Sequence, residues 1–102
     1  MKTRSIFDRV RNAVDPGEYY ADTLPTMPDK QAGRDGWKDG GLCPFHDDRR
    51  PGSFRVNVQT GAYRCFSCGA CGGDIVAFEA AILPAAPLTA ARSISREWGV
   101  EQ

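Results

Sequence analysis

The sequence predicts a small α+β fold: an antiparallel hairpin held at one end by two ligand-bearing knuckles, with helices on either side. Three observations predict it. Cys43-Pro44-Phe45-His46 and Cys65-Phe66-Ser67-Cys68 are two C-x-x-C/H pairs separated by eighteen residues. Between them, Phe54, Val56 and Val58 alternate with Ser53, Arg55 and Asn57, the period of a half-buried strand. Before and after them, capped segments carry apolar residues at helical spacing.

Each C-x-x-C/H pair forms a tight turn presenting two ligands, and two such turns make a four-coordinate zinc site. The 102 residues fit one domain, of a size at which burial alone stabilises little, and eleven Gly with seven Pro make the chain loop-rich. A metal staple suits such a chain. No apolar run reaches the ~20 residues of a membrane span, and Met1 to Ser5 do not lead into a signal-peptide core. The expected location is therefore cytoplasmic, where clustered thiols are metal ligands rather than disulfides.

In the N-terminal part, residues 5–24, Ser5-x-x-Asp8 resembles a capping box ahead of Ile6, Val10 and Ala13/Val14. Asp15-Pro16 then starts a second short helix carrying Tyr19, Tyr20 and Leu24. Residues 25–41 are rich in Pro, Gly, Asp and Lys and read as a loop, with Trp37 covering an edge of the ribbon or stacking on a base. The zinc ribbon spans 42–73. Its hairpin turns at Gln59-Thr60-Gly61 and returns through Ala62 to Phe66. With an even-length loop, Tyr63 and Cys65 share the face of Phe54 and Val56. Arg55, Asn57, Arg64 and Phe66 then share the other face. The C-terminal helices fall within 74–99. Asp74 caps a helix with Ile75, Phe78 and Ile82 on one stripe, stopped by Pro84, and a last helix after Pro87 turns Leu88, Ala91, Ile94 or Ser95, and Trp98 inward.

Five residues compete for four ligand positions: Cys43, His46, Cys65, Cys68 and Cys71. The two knuckles select Cys43, His46, Cys65 and Cys68; a Cys-only set with Cys71 in place of His46 is the alternative. Four protein ligands close the tetrahedron, whereas a catalytic zinc keeps an open position. Asp47 and Asp48 read as solvated turn residues beside Arg49-Arg50-Pro51. No Glu follows His46 and no Pro precedes Cys65, unlike the paired motifs of nucleobase deaminases. The single Zn²⁺ is expected to be structural.

Thirteen Lys and Arg balance thirteen Asp and Glu. The charge is unevenly placed: from Cys43 to Gly73, Arg49, Arg50, Arg55 and Arg64 face only Asp47 and Asp48, while the C-terminal part is acidic. A local basic excess points to an anionic partner, and zero net charge weighs against a nucleic-acid-binding domain.

In order along the chain, Gly41-Leu42-Cys43-Pro44-Phe45-His46, Pro51-x-Ser53-Phe54-x-Val56, Tyr63-x-Cys65-Phe66-x-Cys68-Gly69 and Gly72-Gly73-Asp74-Ile75 with Phe78 resemble the zinc-binding domain of bacterial and phage DNA primases. The resemblance runs from about Gly41 to Phe78. It implies a zinc ribbon whose metal stabilises the fold and which engages single-stranded DNA template to start the primer in DNA replication. Carried over by position, Cys43, His46, Cys65 and Cys68 match the ligands, and Arg55 and Arg64 match template-facing positions. Gly52 interrupts the usual Pro-Ser-Phe, Ala70-Cys71 lengthens the glycine turn, and Trp37 lies further from Cys43 than the usual aromatic.

Family primases continue into an acidic, metal-dependent polymerase domain for which 102 residues leave no room. The expectation is a non-catalytic module, of phage or mobile-element origin, working with a primase polymerase domain in trans or absent from this chain, or with a replicative helicase. Arg49, Arg50, Arg55, Arg64 and Phe66 are the candidate DNA contacts, supplying cations for phosphates and a ring for stacking. The competing expectation is a protein-interaction ribbon that docks on a primase, helicase or RNA polymerase without binding nucleic acid. Paired carboxylates, an activated nucleophile and a phosphate-binding loop do not stand out, so an independent enzyme ranks third.

Overall fold

The computed structural model describes residues 5–28 and 35–100. Four helices and a four-stranded antiparallel sheet follow one another as α1 (Ile6–Ala13), α2 (Pro16–Thr23), β1 (Trp37–Asp39), β2 (Phe54–Asn57), β3 (Tyr63–Cys65), β4 (Cys71–Gly72), α3 (Ile75–Ile82) and α4 (Pro87–Glu97). The strands lie in sequence order, each paired with the next.

The helices start where their caps dictate. The Ser5 hydroxyl accepts from the Asp8 amide, Asp15 Oδ2 accepts from the Glu18 amide, and Asp74 Oδ1 accepts from the Ala77 amide. Each bond satisfies an amide that the first helical turn leaves without a partner. Asp74 has a second role: its other oxygen receives Arg11 at 3.2 Å, which ties α1 to the start of α3.

The predicted hairpin register is present. Phe54 pairs with Cys65, Arg55 with Arg64 and Val56 with Tyr63. Phe54, Val56, Tyr63 and Cys65 are buried on the inner face, and Arg64 is exposed on the outer one. Against the inner face stands Phe78 of α3, fully buried, with ring centroids 5.1 Å from Tyr20, 5.2 Å from Tyr63 and 5.6 Å from Phe45. Burying a ring of this size contributes about 1.5–3 kcal/mol, and each edge-to-face pair adds ~1 kcal/mol. The core is thus an aromatic cluster joining helix, sheet and first knuckle.

One carboxylate pins three helices. Glu79 of α3 is buried, accepting from the Tyr19 hydroxyl of α2 on Oε1 and from Ser93 Oγ of α4 at 3.0 Å on Oε2. A buried carboxylate without donors would be costly; here both oxygens are satisfied.

Four expectations need correction. Residues 25–41 do not form only a loop: Trp37–Asp39 adds strand β1, pairing with Arg55, Val56 and Asn57. The middle of that segment, 29–34, lies outside the described residues. Cys71 does not lengthen a turn but begins β4, opposite Arg64. Asn57 lies on the predicted face by register, yet it is 4 % exposed because its side chain is folded into the hairpin turn. Leu88 and Ile82 are exposed rather than inward, while Ala91, Ile94 and Ser95 of α4 are buried as expected, with Ala90 beside them.

Candidate functional site

The first knuckle follows directly from β1 through Gly40 and Gly41. A Cβ on Gly40 would come within 2.5 Å of Phe54 Cδ2, so only glycine lets the chain cross the core ring there. Leu42 is then held by its amide on Thr26 Oγ1 at 2.8 Å, and the Cys43 amide donates to Asp48 Oδ2 at 2.8 Å. Asp48, expected as a solvated turn residue, instead orients the first ligand. The second knuckle leaves the end of β3, where Cys65 faces inward beside Phe54.

These two turns bring together Cys43, His46, Cys65 and Cys68, with one ligand atom from each residue and all four atoms within 4.8 Å of one another. Cys43 Sγ is 3.9 Å from Cys68 Sγ, and Cys65 Sγ is 3.5 Å from His46 Nε2. A tetrahedral zinc with Zn–S of about 2.3 Å and Zn–N of about 2.0 Å separates two sulfurs by ~3.8 Å and sulfur from nitrogen by ~3.5 Å. The donor set therefore fits one zinc ion in both chemistry and spacing. Cys71, exposed on β4, stands outside the group.

The surroundings prepare the ligands unevenly. Burial pushes the Cys43 thiol up to about 12. At Cys65 burial also acts upward, but the Cys68 and Ser67 amides, with His46 and the Cys68 side chain, outweigh it and lower the thiol to about 7. The Phe45 amide donates to Cys43 Sγ at 3.4 Å and the Cys68 amide to Cys65 Sγ at 3.5 Å. Such N–H···S bonds fix ligand direction. Three thiolates this close repel one another, and a dication supplies the charge that lets all three ionise together.

The outer face of the sheet carries the remaining candidates. Trp37, Arg55, Arg64 and Phe66 line one groove of about 390 Å³. Phe66 is 67 % exposed and Trp37 36 %. The Arg64 guanidinium lies 4.9 Å from the Phe66 ring centroid, a cation–π contact. Arg55 and Arg64 face each other across β2 and β3, and neither makes an ion pair among the described residues. Arg49 and Arg50 sit apart, exposed on the segment between the first knuckle and β2, with Arg49 3.3 Å from Asp47. Trp37 is the groove residue that sequence reasoning left undecided. The available signal was its alternation with Lys38 and Asp39 immediately before Gly40-Gly41, too short to read as a strand.

Comparison with known proteins adds the following. A family profile, the CHC2 zinc finger, matches residues 20–101. The DNA primase of Mycolicibacterium smegmatis is 51 % identical over 49 residues, covering 48 % of this chain and 7 % of that protein. The DNA primase of Synechococcus elongatus is 60 % identical over 35 residues, 34 % of this chain and 5 % of that protein. The crystal structure of the Aquifex aeolicus primase, zinc-binding and RNA polymerase domains, superposes with a TM-score of 0.76 at 25 % identity, covering 98 % of this chain and 23 % of that one. The matched region spans less than a tenth of the length of these curated relatives.

Proposed function

The chain belongs to the CHC2 zinc-finger family, the zinc ribbon of DNA primases, and from that premise we propose that it is a non-catalytic module that binds single-stranded DNA template and supports primer initiation. The polymerase chemistry belongs to a separate primase domain, which is the expected protein partner, alongside a replicative helicase. The ion is structural: the four side chains that hold it leave no ligand position for substrate. Its contribution is to hold the two knuckles so that the sheet between them keeps its shape.

The observation that carries this reading is the outer groove. Two arginines in register, neither in an ion pair among the described residues, together with two exposed rings offer what single-strand binding requires: cations for phosphates and flat surfaces for bases. Arg49 and Arg50, exposed on the segment before β2, are further candidate phosphate contacts apart from the groove. A replication role of this kind places the chain in the cytoplasm.

The test is a titration of the zinc-loaded chain with a short single-stranded oligonucleotide at several salt concentrations. Saturable binding that weakens with salt, by a log–log slope of about −0.7 per phosphate contacted, is expected. A folded, zinc-loaded chain that binds no strand at low salt refutes the reading. That outcome would leave the second reading, protein docking without nucleic acid. It is favoured by a different observation, the exposed apolar side chains Ile82, Leu83 and Leu88 at the α3–α4 corner.

A further inference from the structure

A second cleft opens on the helical side of the sheet and shares no lining residue with the outer groove. The end of α2, the first knuckle and α3 enclose about 370 Å³ there. Leu24, Cys43 and Phe78 form its buried floor, and Pro25, Pro44 and Ile82 stand exposed around its rim. That volume is near the lower end for ligand sites and holds roughly one or two side chains. An apolar side chain laid over such a floor removes both surfaces from water, which is favourable.

The wall beside the floor is acidic. Asp47 and Asp48 line it, and no Lys or Arg among the described residues does. The Cys43 amide donates to Asp48 Oδ2 at 2.8 Å, which fixes that carboxylate in place and leaves it further acceptor sites. Asp47 meets Arg49 at 3.3 Å, but the two side chains are 82 % and 84 % exposed. A pair so open to water yields readily to a better-placed cation. The last turn of α2 also reaches the cleft, at Thr23, and has no basic residue to offset the partial negative charge of a helix C-terminus. Cys43 and His46 line the cleft as well, and three thiolates with one imidazole around a zinc ion leave a net charge of about −1. Arg49 apart, the charges around the cleft have one sign, so it repels a phosphate strand.

We propose that this cleft docks a segment of a partner protein in which an arginine or lysine adjoins a large apolar residue. The apolar side chain covers Leu24 and Phe78 beside Ile82, and the cation reaches Asp47 and Asp48 with its methylene stem over the rim. The two faces of the domain then sort their partners by charge, an anionic ligand to the outer groove and a basic protein segment to the cleft. The inference does not depend on single-strand binding, and it gives protein docking a place and a chemistry.

The test selects random heptapeptides displayed on phage against the immobilised, zinc-loaded chain, then measures the affinities of the enriched peptides. Enriched sequences are expected to place Arg or Lys beside Leu, Ile, Met or Phe. Asp47→Asn combined with Asp48→Asn should weaken them about tenfold or more, the effect of losing charge-assisted hydrogen bonds. Ile82→Ala should weaken them about fivefold. The amide at position 48 keeps an oxygen for the Cys43 N–H, and zinc content checks that the knuckle survives. If the double variant loses zinc, Asp47→Asn alone and Ile82→Ala, both at exposed positions, carry the test. A short single-stranded oligonucleotide should not displace the peptides. No enrichment over the bare support, enrichment of acidic peptides, or affinities unchanged by the variants each overturn the proposal. Displacement by the oligonucleotide overturns it too, since such peptides occupy the outer groove. Failure of the strand titration above leaves the cleft untouched, so the two readings fall separately.

Discussion

Replacing Arg55 by Gln should raise stability and lower single-strand affinity together. Arg55 lies opposite Arg64 on β3 and level with Asp39 on β1, whose Oδ1 is taken by the Gly41 amide, and neither arginine makes an ion pair among the described residues. A directly opposed like-charge pair costs ~0.2–1 kcal/mol, so removing one charge while keeping the length of the side chain returns about half a kcal/mol. In a domain of this size that raises the melting temperature by about 2–4 °C. The same change removes one phosphate contact, which should weaken binding about five- to tenfold and reduce the salt slope by about 0.7. Arg64→Gln provides the contrast. It should lose as much binding but gain no stability, because it also gives up the contact with Phe66, worth ~0.5–1 kcal/mol at an exposed site. Thermal melts of zinc-loaded protein, paired with fluorescence anisotropy at several salt concentrations, measure both quantities. An Arg55→Gln chain that is less stable, or one whose salt slope equals that of the parent, refutes the reasoning.

The remaining predictions concern the metal and the helical core. Cys71→Ser should keep one zinc per chain by metal analysis, whereas Cys65→Ser should lose the ion and the ribbon's fold with it, because only Cys65 belongs to the four-atom cluster. Tyr19→Phe removes one of two donors to buried Glu79 and should cost about 1.5–3 kcal/mol in chemical denaturation, while Glu79→Gln, which keeps both contacts possible, should cost less. Burial raises the Tyr19 and Tyr20 hydroxyls well above the usual tyrosine range, with Glu79 adding to the effect at Tyr19 and Tyr63 and Asp74 at Tyr20. A folded value above the unfolded one of about 10 means that this stability is complete below that pH and is lost as pH rises beyond it. Phenolate absorbance should therefore lag the free-tyrosine curve and then rise together with loss of helical signal; titration of both groups in a chain that remains folded would contradict this.

Much of the metal centre could be read directly from the chain, because ligand spacing is a local property. Two residues between ligands make a knuckle wherever it is placed, so Cys43 with His46 and Cys65 with Cys68 were identifiable without the fold. Helix starts at Ser5, Asp15 and Asp74 were legible for the same reason, since a cap bonds to an amide three residues away. So was the hairpin's inward set, whose alternation has only one register that buries Phe54 and Val56 with Tyr63 and Cys65.

What the tertiary structure decided are matters of which distant segments meet. Cys71 could be separated from the ligands only once β4 paired with β3 and set it opposite Arg64 on the outer face. Trp37 reached the groove because a three-residue segment found β2 as a neighbour, a pairing with too little local pattern to predict. Asn57 is buried because its side chain accepts the amides of the turn that follows it, and Leu88 is exposed although Ala91, Ile94 and Ser95 of the same helix are buried. By itself the sequence determined a zinc ribbon with cations beside it, through chemistry spanning a few residues. Only long-range pairing determined that two of those cations share one face with two rings, since contacts between remote segments depend on the burial and hydrogen bonding of the whole sheet.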